Sequence, residues 1–122
     1  MLESSGYNYI VRRYVVIMNT DHIHPEIARA VLSCYENNTK DRQVSGEMLR
    51  KAWKKPNTAE GIADTFREAK ADFEQLKAAG IVTWYGIYCL NADGPQWIRF
   101  QLPPCYARPT IPAILECAAN GQ

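Results

Sequence analysis

The longest amphipathic pattern in the chain constrains the fold more than any other feature of the sequence. Its apolar positions are separated by four, three, four and three residues, and they are Ile62, Phe66, Ala69, Phe73 and Leu76. This spacing keeps one side of an α-helix apolar. Asn57 is placed to cap the start of such a helix, and Gly80 suits its C-terminal end. We therefore predict a helix of about 22 residues whose apolar side packs against a core.

Two shorter helices are predicted before this long helix. The first begins at Pro25 and ends at Asn37 and Asn38, because proline fits the first helical position and asparagine tolerates a left-handed cap. Its apolar face consists of Ile27, Val31, Cys34 and Tyr35. The second runs from a cap at Ser45 to about Lys55, where Pro56 stops it. Its apolar side consists of Met48, Leu49, Ala52 and Trp53.

A β-hairpin is predicted after the long helix. The strands cover residues 81–90 and 96–102, and the turn residues of 91–95 lie between them. A trial register that pairs Leu90 with Trp97 divides the side chains between two faces. The core face carries Ile81, Tyr85, Ile87 and Cys89 with Ile98, Phe100 and Leu102. The opposite face carries Trp84, Tyr88, Trp97 and Arg99.

The two ends of the chain give weaker patterns. Residues 1–6 are expected to form a loose tail, and the Tyr, Val and Ile content of 7–18 favours a strand. A short helix, or a poorly ordered extension before a start at Met18, are alternatives for this segment. Residues 111–119 are predicted to form a short last helix. The 122 residues fit a single domain, with its main body over 24–102 and a C-terminal extension over 103–122.

Composition excludes several classes of protein. The apolar content of 47% and charged content of 22% are those of a globular chain, and no apolar stretch is long enough to span a membrane. The N-terminus lacks the pattern of an export signal, so we expect a cytoplasmic protein with reduced cysteines. Cys34 and Cys89 are expected to be small buried residues. No phosphate loop or nucleophile–base arrangement points to catalysis, so we expect no enzyme activity and no cofactor. His22 and His24 are the only local pair with metal-ligand spacing, and we expect no metal site.

The junction after the long helix resembles a known family. The run from Leu76 through Gly80 to Val82 is similar to the Leu-x-x-Ala-Gly-Ile/Leu-Val run that links the recognition helix to the wing in winged helix-turn-helix domains. The resemblance covers about residues 24–102. It implies an α+β fold, a small three-helix winged-helix-like domain with a C-terminal hairpin, and a function as a DNA-binding regulator of transcription.

Local charge suggests where DNA would bind. The net charge is +4 over residues 40–55 and −2 over 56–79, although the whole chain carries only +1. Basic side chains neutralise phosphates, so phosphate contacts are predicted from Arg42, Arg50, Lys51, Lys54 and Lys55. Base contacts are predicted near the start of the long helix, from Asn57, Thr58 and Arg67. A solvated helix face is the alternative interpretation of the basic region.

A second function remains open from the sequence. Trp, Tyr and Arg dominate binding hot spots, so the hairpin face of Trp84, Tyr88, Trp97 and Arg99 would suit a protein partner if it is exposed. The chain would then be a protein-binding adaptor or inhibitor, of the kind that phages or plasmids use as accessory factors. Two other interpretations of this hairpin face remain. It could form a homodimer contact, or the N-terminal strand or the C-terminal helix could cover it.

Overall fold

The computed structural model describes residues 23–89, 94–110 and 113–120. These residues form helices and strands in the order helix, strand, helix, helix, strand, strand, helix. The elements are α1 Pro25–Asn37, β1 Asp41–Ser45, α2 Gly46–Ala52, α3 Ala59–Ala78, β2 Trp84–Cys89, β3 Gln96–Gln101 and α4 Ala113–Ala119. The predicted α+β fold class is confirmed.

The three described strands form one antiparallel sheet in the order β1-β3-β2. β3 is central, with Val44 of β1 and Ile87 of β2 both paired to Ile98. The hairpin of β2 and β3 follows α3, and β1 lies between α1 and α2 in the chain. This order places three helices before the hairpin and one short helix after it.

The hairpin register differs from the trial register by two residues, and the division into faces is as predicted. Tyr88 rather than Leu90 pairs with Trp97. Because side chains alternate along a strand, a shift of two residues returns each of them to its original face. The alternation of side chains therefore predicts the two faces of the hairpin. It does not predict the register, because the register depends on the length of the turn.

The core lies between the helices and one face of the sheet. The ring of Phe73 in α3 packs at a tilt against that of Phe100 in β3, with ring centroids 5.1 Å apart. The largest fully buried apolar side chains come from all four helices and from β3. They are Phe73, Phe100, Ile27, Leu49, Leu76, Ile98 and Leu115. Each fully buried side chain of this size contributes about 1.5–3 kcal/mol relative to an exposed one. Phe73 and Leu76 of the α3 stripe are thus fully buried in this core.

Several apolar positions are more exposed than the patterns predict. Met48 is 54% exposed and Ile62 is 37% exposed, although Leu49 and Gly61 beside them are buried. Ala52 and Cys89 are exposed too. Ile87, predicted for the core face of the hairpin, is 42% exposed, since it lies on the edge strand β2. Cys34 is buried as predicted.

The helix ends follow the expected chemistry with small shifts. Asn38 is left-handed with φ 55°, and Gly80 after α3 has φ 77°. The cap of α3 is Thr58 rather than Asn57, because the Thr58 hydroxyl accepts a hydrogen bond from the Gly61 N–H at 3.0 Å. α2 ends at Ala52, not at Lys55, because the chain turns sharply before Pro56 can stop it.

The C-terminal helix packs on α1. Leu115 and Ala118 are buried, and the Arg29 guanidinium donates to the Ala119 carbonyl oxygen at 2.7 Å. The predicted tail, the strand over 7–18, the tip of the hairpin at 90–93 and the start of the last helix at 111–112 lie outside the described residues. No helix in the described part of the chain combines the length and apolarity that crossing a membrane requires.

Candidate nucleic-acid interface

Two hydrogen bonds between Arg50 and Lys55 close the turn between α2 and α3. The Lys55 N–H donates to the Arg50 carbonyl oxygen at 3.0 Å, and the Arg50 guanidinium donates back to the Lys55 carbonyl oxygen at 3.1 Å. Lys54 between them is left-handed with φ 59°, a conformation that costs a residue with a Cβ roughly 1 kcal/mol. The two hydrogen bonds compensate for this cost and hold Lys54 at the apex of the turn.

Trp53 attaches this turn to the start of α1. Its ring stacks on the His24 imidazole with centroids 3.8 Å apart, and its indole N–H donates to the Glu26 carboxylate at 2.8 Å. An indole that is stacked and hydrogen-bonded has little freedom to rotate. The turn is therefore fixed relative to α1 as well as to the two helices that it joins.

A charged cluster that sequence analysis did not predict joins the same turn to α3. Asp72, only 1% exposed, accepts from the His24 backbone N–H and contacts the His24 Nδ1, both at 2.9 Å. Glu68 lies 3.5 Å from the His24 Nε2 and 2.5 Å from the Lys55 ammonium. The hydrogen bond to Asp72 raises the pKa of His24, although burial acts in the opposite direction. Since His24 and Asp72 are 48 residues apart, no local pattern could have indicated the pair.

The first turn of α3 passes unusually close to the loop before it. A Cβ at Gly61 would lie 2.0 Å from the Pro56 carbonyl oxygen, which no side chain could tolerate. The hydroxyl of Thr65, one turn later, donates to the Gly61 carbonyl oxygen at 2.8 Å. Glycine at this position lets the predicted contact residues Asn57 and Thr58 lie directly against the helix start.

The structure gives the predicted basic residues different surroundings. Lys54 is exposed, and within the described residues it forms no ion pair. Lys51 is exposed and lies 3.6 Å from Glu47 on its own helix, a distance that permits only a weak, solvent-screened pair. Lys55 is half-buried against Glu68, and Arg67 pairs with Asp64 at 2.7 Å. Lys51 and Lys54 are thus the side chains best placed to meet an incoming phosphate.

Arg42 lies apart from the other predicted phosphate contacts. It belongs to β1 and lies near Cys34, where its positive charge partly offsets the effect of burial, which raises the pKa of that thiol. Cys34 is near the C-terminal end of α1, whereas Lys55 is joined through Glu68 to His24 at its N-terminal end. A helix of 13 residues separates the two ends by about 20 Å. Arg42 therefore does not form one compact cluster with the other predicted phosphate contacts.

A cleft of about 420 Å³ borders the turn on its other side. It lies between the start of α2, the start of α3 and the turn end of the hairpin, and Arg50, Asn57, Ile62, Phe66 and Pro95 are among its lining residues. Gly46 is required there, because a Cβ would come within 2.3 Å of the Phe66 ring. The exposed Ile62 lies in this cleft, so the apolar stripe of α3 extends beyond the core to the surface.

The aromatic residues predicted to share a hairpin face do share it. Trp84 and Tyr88 of β2 lie on the face opposite Ile98 and Phe100, together with Trp97 and Arg99 of β3. Trp84 is 45% exposed, whereas Tyr88 and Trp97 are half-buried. β1 contributes Asp41 and Gln43 to the same surface, and sequence analysis missed both because it missed the strand.

Comparison of the chain with protein-family models, with curated proteins and with solved structures gave no significant match. Inferences about function therefore depend on the arrangement of the residues described above.

Proposed function

We propose that this protein is a DNA-binding regulator or accessory factor of the winged-helix type that acts in the cytoplasm. The observation that supports this proposal is the order of elements together with the sheet order β1-β3-β2. In this arrangement α2 and α3 take the places of a helix-turn-helix, and the β2–β3 hairpin takes the place of the wing. By this assignment, α3 is the recognition helix.

The proposed phosphate contacts come mainly from the turn between the two helices. Lys54 is held at the apex of the turn, and Lys51 lies one helical turn earlier with 67% of its side chain exposed. Both ammonium groups can reach a phosphate without first losing a buried carboxylate partner. Arg50 supports them through its bond to the Lys55 carbonyl oxygen.

The proposed base contacts come from the start of α3. Asn57 is exposed beside the cleft, and an asparagine amide can pair with both polar atoms of an adenine edge. Thr58 caps the helix with its hydroxyl oxygen and keeps the hydroxyl proton to donate. To contact DNA, Arg67 must break its ion pair with Asp64, and Lys55 must break its ion pair with Glu68. These exchanges reduce the contribution of both cations, so the expected salt dependence is that of a few phosphate contacts.

A paired charge-reversal experiment tests the proposal. Lys51→Glu with Lys54→Glu should lower affinity for duplex DNA by more than tenfold and reduce the slope of log affinity against log salt by about 2. The matched control is Lys40→Glu with Lys77→Glu, which changes the net charge equally at exposed positions away from the turn. Fluorescence anisotropy with a labelled duplex measures both variants. Equal losses of affinity in the two variants would mean that DNA binding depends only on the total charge of the protein, and the proposed interface would be wrong.

The exposed aromatic surface supports a second candidate function. A protein-binding adaptor or inhibitor, of the phage or plasmid accessory kind, would use Trp84, Tyr88, Trp97 and Arg99 without contacting DNA. Trp84, at 45% exposure, is the observation that favours it. Trp97→Ala would then leave the fold intact and abolish capture of the partner. Loss of the fold in that variant would instead indicate that Trp97 is a structural residue.

A further inference from the structure

Strand β2 has a free edge in the described part of the chain. The sheet order β1-β3-β2 places β2 at one side of the sheet, with β3 as its only neighbour among the described strands. An edge strand leaves every second backbone N–H and C=O group without a partner in the sheet. These groups can pair with a further extended chain.

The backbone amides on this free edge are those of Tyr85 and Ile87. Leu102 directly follows β3, and its N–H donates to the Lys40 carbonyl oxygen on the β1 side. Because N–H groups alternate in direction along a strand, the even-numbered residues of β3 face β1 and the odd-numbered residues face β2. The odd-numbered residues of β3 pair with the even-numbered residues of β2. Tyr85 and Ile87 therefore direct their N–H and C=O groups away from β3.

The sequence of β2 lacks the features that usually protect an edge strand. Edge strands commonly carry charged residues or proline, which discourage pairing with another chain. β1, the other edge strand, contains Asp41 and Arg42. The six residues of β2 include neither a charged residue nor a proline. Of the two edges of the sheet, β2 is thus the better template for an added strand.

A groove of about 400 Å³ lies beside the free edge, between β2 and α3. We call it the edge groove, and its lining residues are Lys70, Lys77, Trp84, Tyr85, Gly86 and Ile87. Trp84 and Ile87 are 45% and 42% exposed. The ring of Tyr85 stacks on Phe73 with centroids 5.8 Å apart, and its hydroxyl donates to the Glu74 carboxylate. The edge groove therefore places exposed apolar side chains next to unpaired backbone groups.

The charges of the edge groove favour an acidic partner. Lys70 and Lys77 are exposed, and neither forms an ion pair with any residue that the structure describes. Glu74 lies between them on α3, where its carboxylate accepts the hydrogen bond from Tyr85. Two positive charges and one negative charge thus line the helix side of the groove, and they attract a segment that carries carboxylates.

The chain's own N-terminal segment is a poorer electrostatic match for this edge. Residues 7–18 have the Tyr, Val and Ile content of a strand, but they include Arg12 and Arg13 and no acidic residue. Like charges on neighbouring strands oppose pairing, so these arginines would meet repulsion from Lys70 and Lys77. An acidic strand from another protein meets attraction instead.

We propose that the free edge of β2 binds an extended acidic segment of a partner protein as a fourth strand of the sheet. The backbone of this segment pairs with Tyr85 and Ile87. Its side chains alternate between the two faces, so acidic residues on the α3 side meet Lys70 and Lys77, and apolar residues on the other side lie beside Trp84. Main-chain hydrogen bonds supply affinity in this binding mode, and the side chains supply specificity.

A peptide titration followed by NMR tests the proposal on the full chain. The probe is a seven-residue peptide, blocked at both ends, in which glutamate alternates with valine. Its binding should slow hydrogen exchange at the Tyr85 and Ile87 amides by about tenfold or more, because their N–H groups become paired. A peptide with lysine in place of each glutamate should not bind. A peptide with proline in place of each valine should not bind either, since proline has no N–H to donate to a ladder.

Two double charge reversals locate the binding site. Lys70→Glu with Lys77→Glu should raise the dissociation constant of the glutamate peptide by about tenfold or more. Lys51→Glu with Lys54→Glu changes the net charge equally at exposed positions that do not line the edge groove, so it should bind the peptide like the unchanged protein. The second variant is also the one that should lose DNA, so this proposal and the proposed DNA contacts can fail separately.

Four results would overturn the proposal. Slow exchange of the Tyr85 and Ile87 amides in the free protein would show that the chain itself already pairs the edge. Equal binding of the proline-containing peptide would show that charge alone attracts the probe. No binding of the glutamate peptide at millimolar concentration also overturns the proposal, and so does unchanged binding by the Lys70→Glu, Lys77→Glu variant.

Discussion

At the scale of single residues, His24 connects more of the molecule than any other polar side chain described. It stacks on Trp53, its two ring nitrogens lie against the carboxylates of Asp72 and Glu68, and it is the N-cap residue of α1. The carboxylate of Asp72 is almost fully buried, so it depends on the two donors that His24 supplies. One imidazole thus holds the start of α1, the interhelical turn and the middle of α3 in a fixed relation.

This cluster makes the stability of the fold depend on pH. The groups that face His24 are Asp72, Glu68 and Glu26, and Lys55 lies on the far side of Glu68. Because the pKa of His24 is raised in the folded protein, its protonation favours folding. The contribution is complete below the unfolded pKa of about 6.5 and is lost as pH rises through the folded value.

His24→Gln should therefore lower the free energy of unfolding most at about pH 6 and progressively less toward about pH 9. Urea denaturation of both proteins at a series of pH values measures the difference, and the effects of titrating groups that do not contact His24 cancel. A difference that stays constant, or that grows with pH, would contradict the assigned role of the imidazole.

At the scale of secondary-structure elements, the sequence predicts what local patterns encode. The ends of α1, the buried stripe of α3 and the two faces of the hairpin follow from periodicity and capping residues. β1 could not be predicted, because Val44 is the only buried side chain among its five residues and the strand forms by pairing with β3. The ion pair of Lys55 with Glu68 was equally invisible, since it spans the turn between two helices. The positive region predicted from local charge is therefore weaker in the folded protein than in the sequence.

The close contact between α3 and the loop before it gives a prediction at this scale. Gly61→Ala should destabilise the protein by about 2 kcal/mol, although alanine is the better helix former by about 1 kcal/mol. The new methyl group would overlap the Pro56 carbonyl oxygen, so the loop or the helix must move. Glu60→Ala, at an exposed position one residue earlier, should change stability by only a few tenths of a kcal/mol. Thermal unfolding of the two variants compares them, and a stabilised Gly61→Ala protein would show that the loop yields easily.

At the scale of the whole molecule, two surfaces with different chemistry lie on separate elements. The interhelical turn presents Lys51 and Lys54, whereas the aromatic hairpin face presents Trp84, Tyr88 and Trp97 with the ion pair of Arg99 and Asp41. The two candidate functions assign DNA to the first surface and a protein partner to the other. Each can therefore fail without the other, because no residue belongs to both.

Amide chemical-shift mapping by NMR during titration with duplex DNA tests the central claim most directly. The account predicts that the shifted amides belong to residues 50–58 and to the first half of α3, and that those of β1 and the second half of β2 stay in place. The same shifts should disappear at high salt, since phosphate contacts weaken as counterions compete. Shifts confined to the hairpin face of Trp84, Tyr88, Trp97 and Arg99, or no shifts at low salt, would contradict the account.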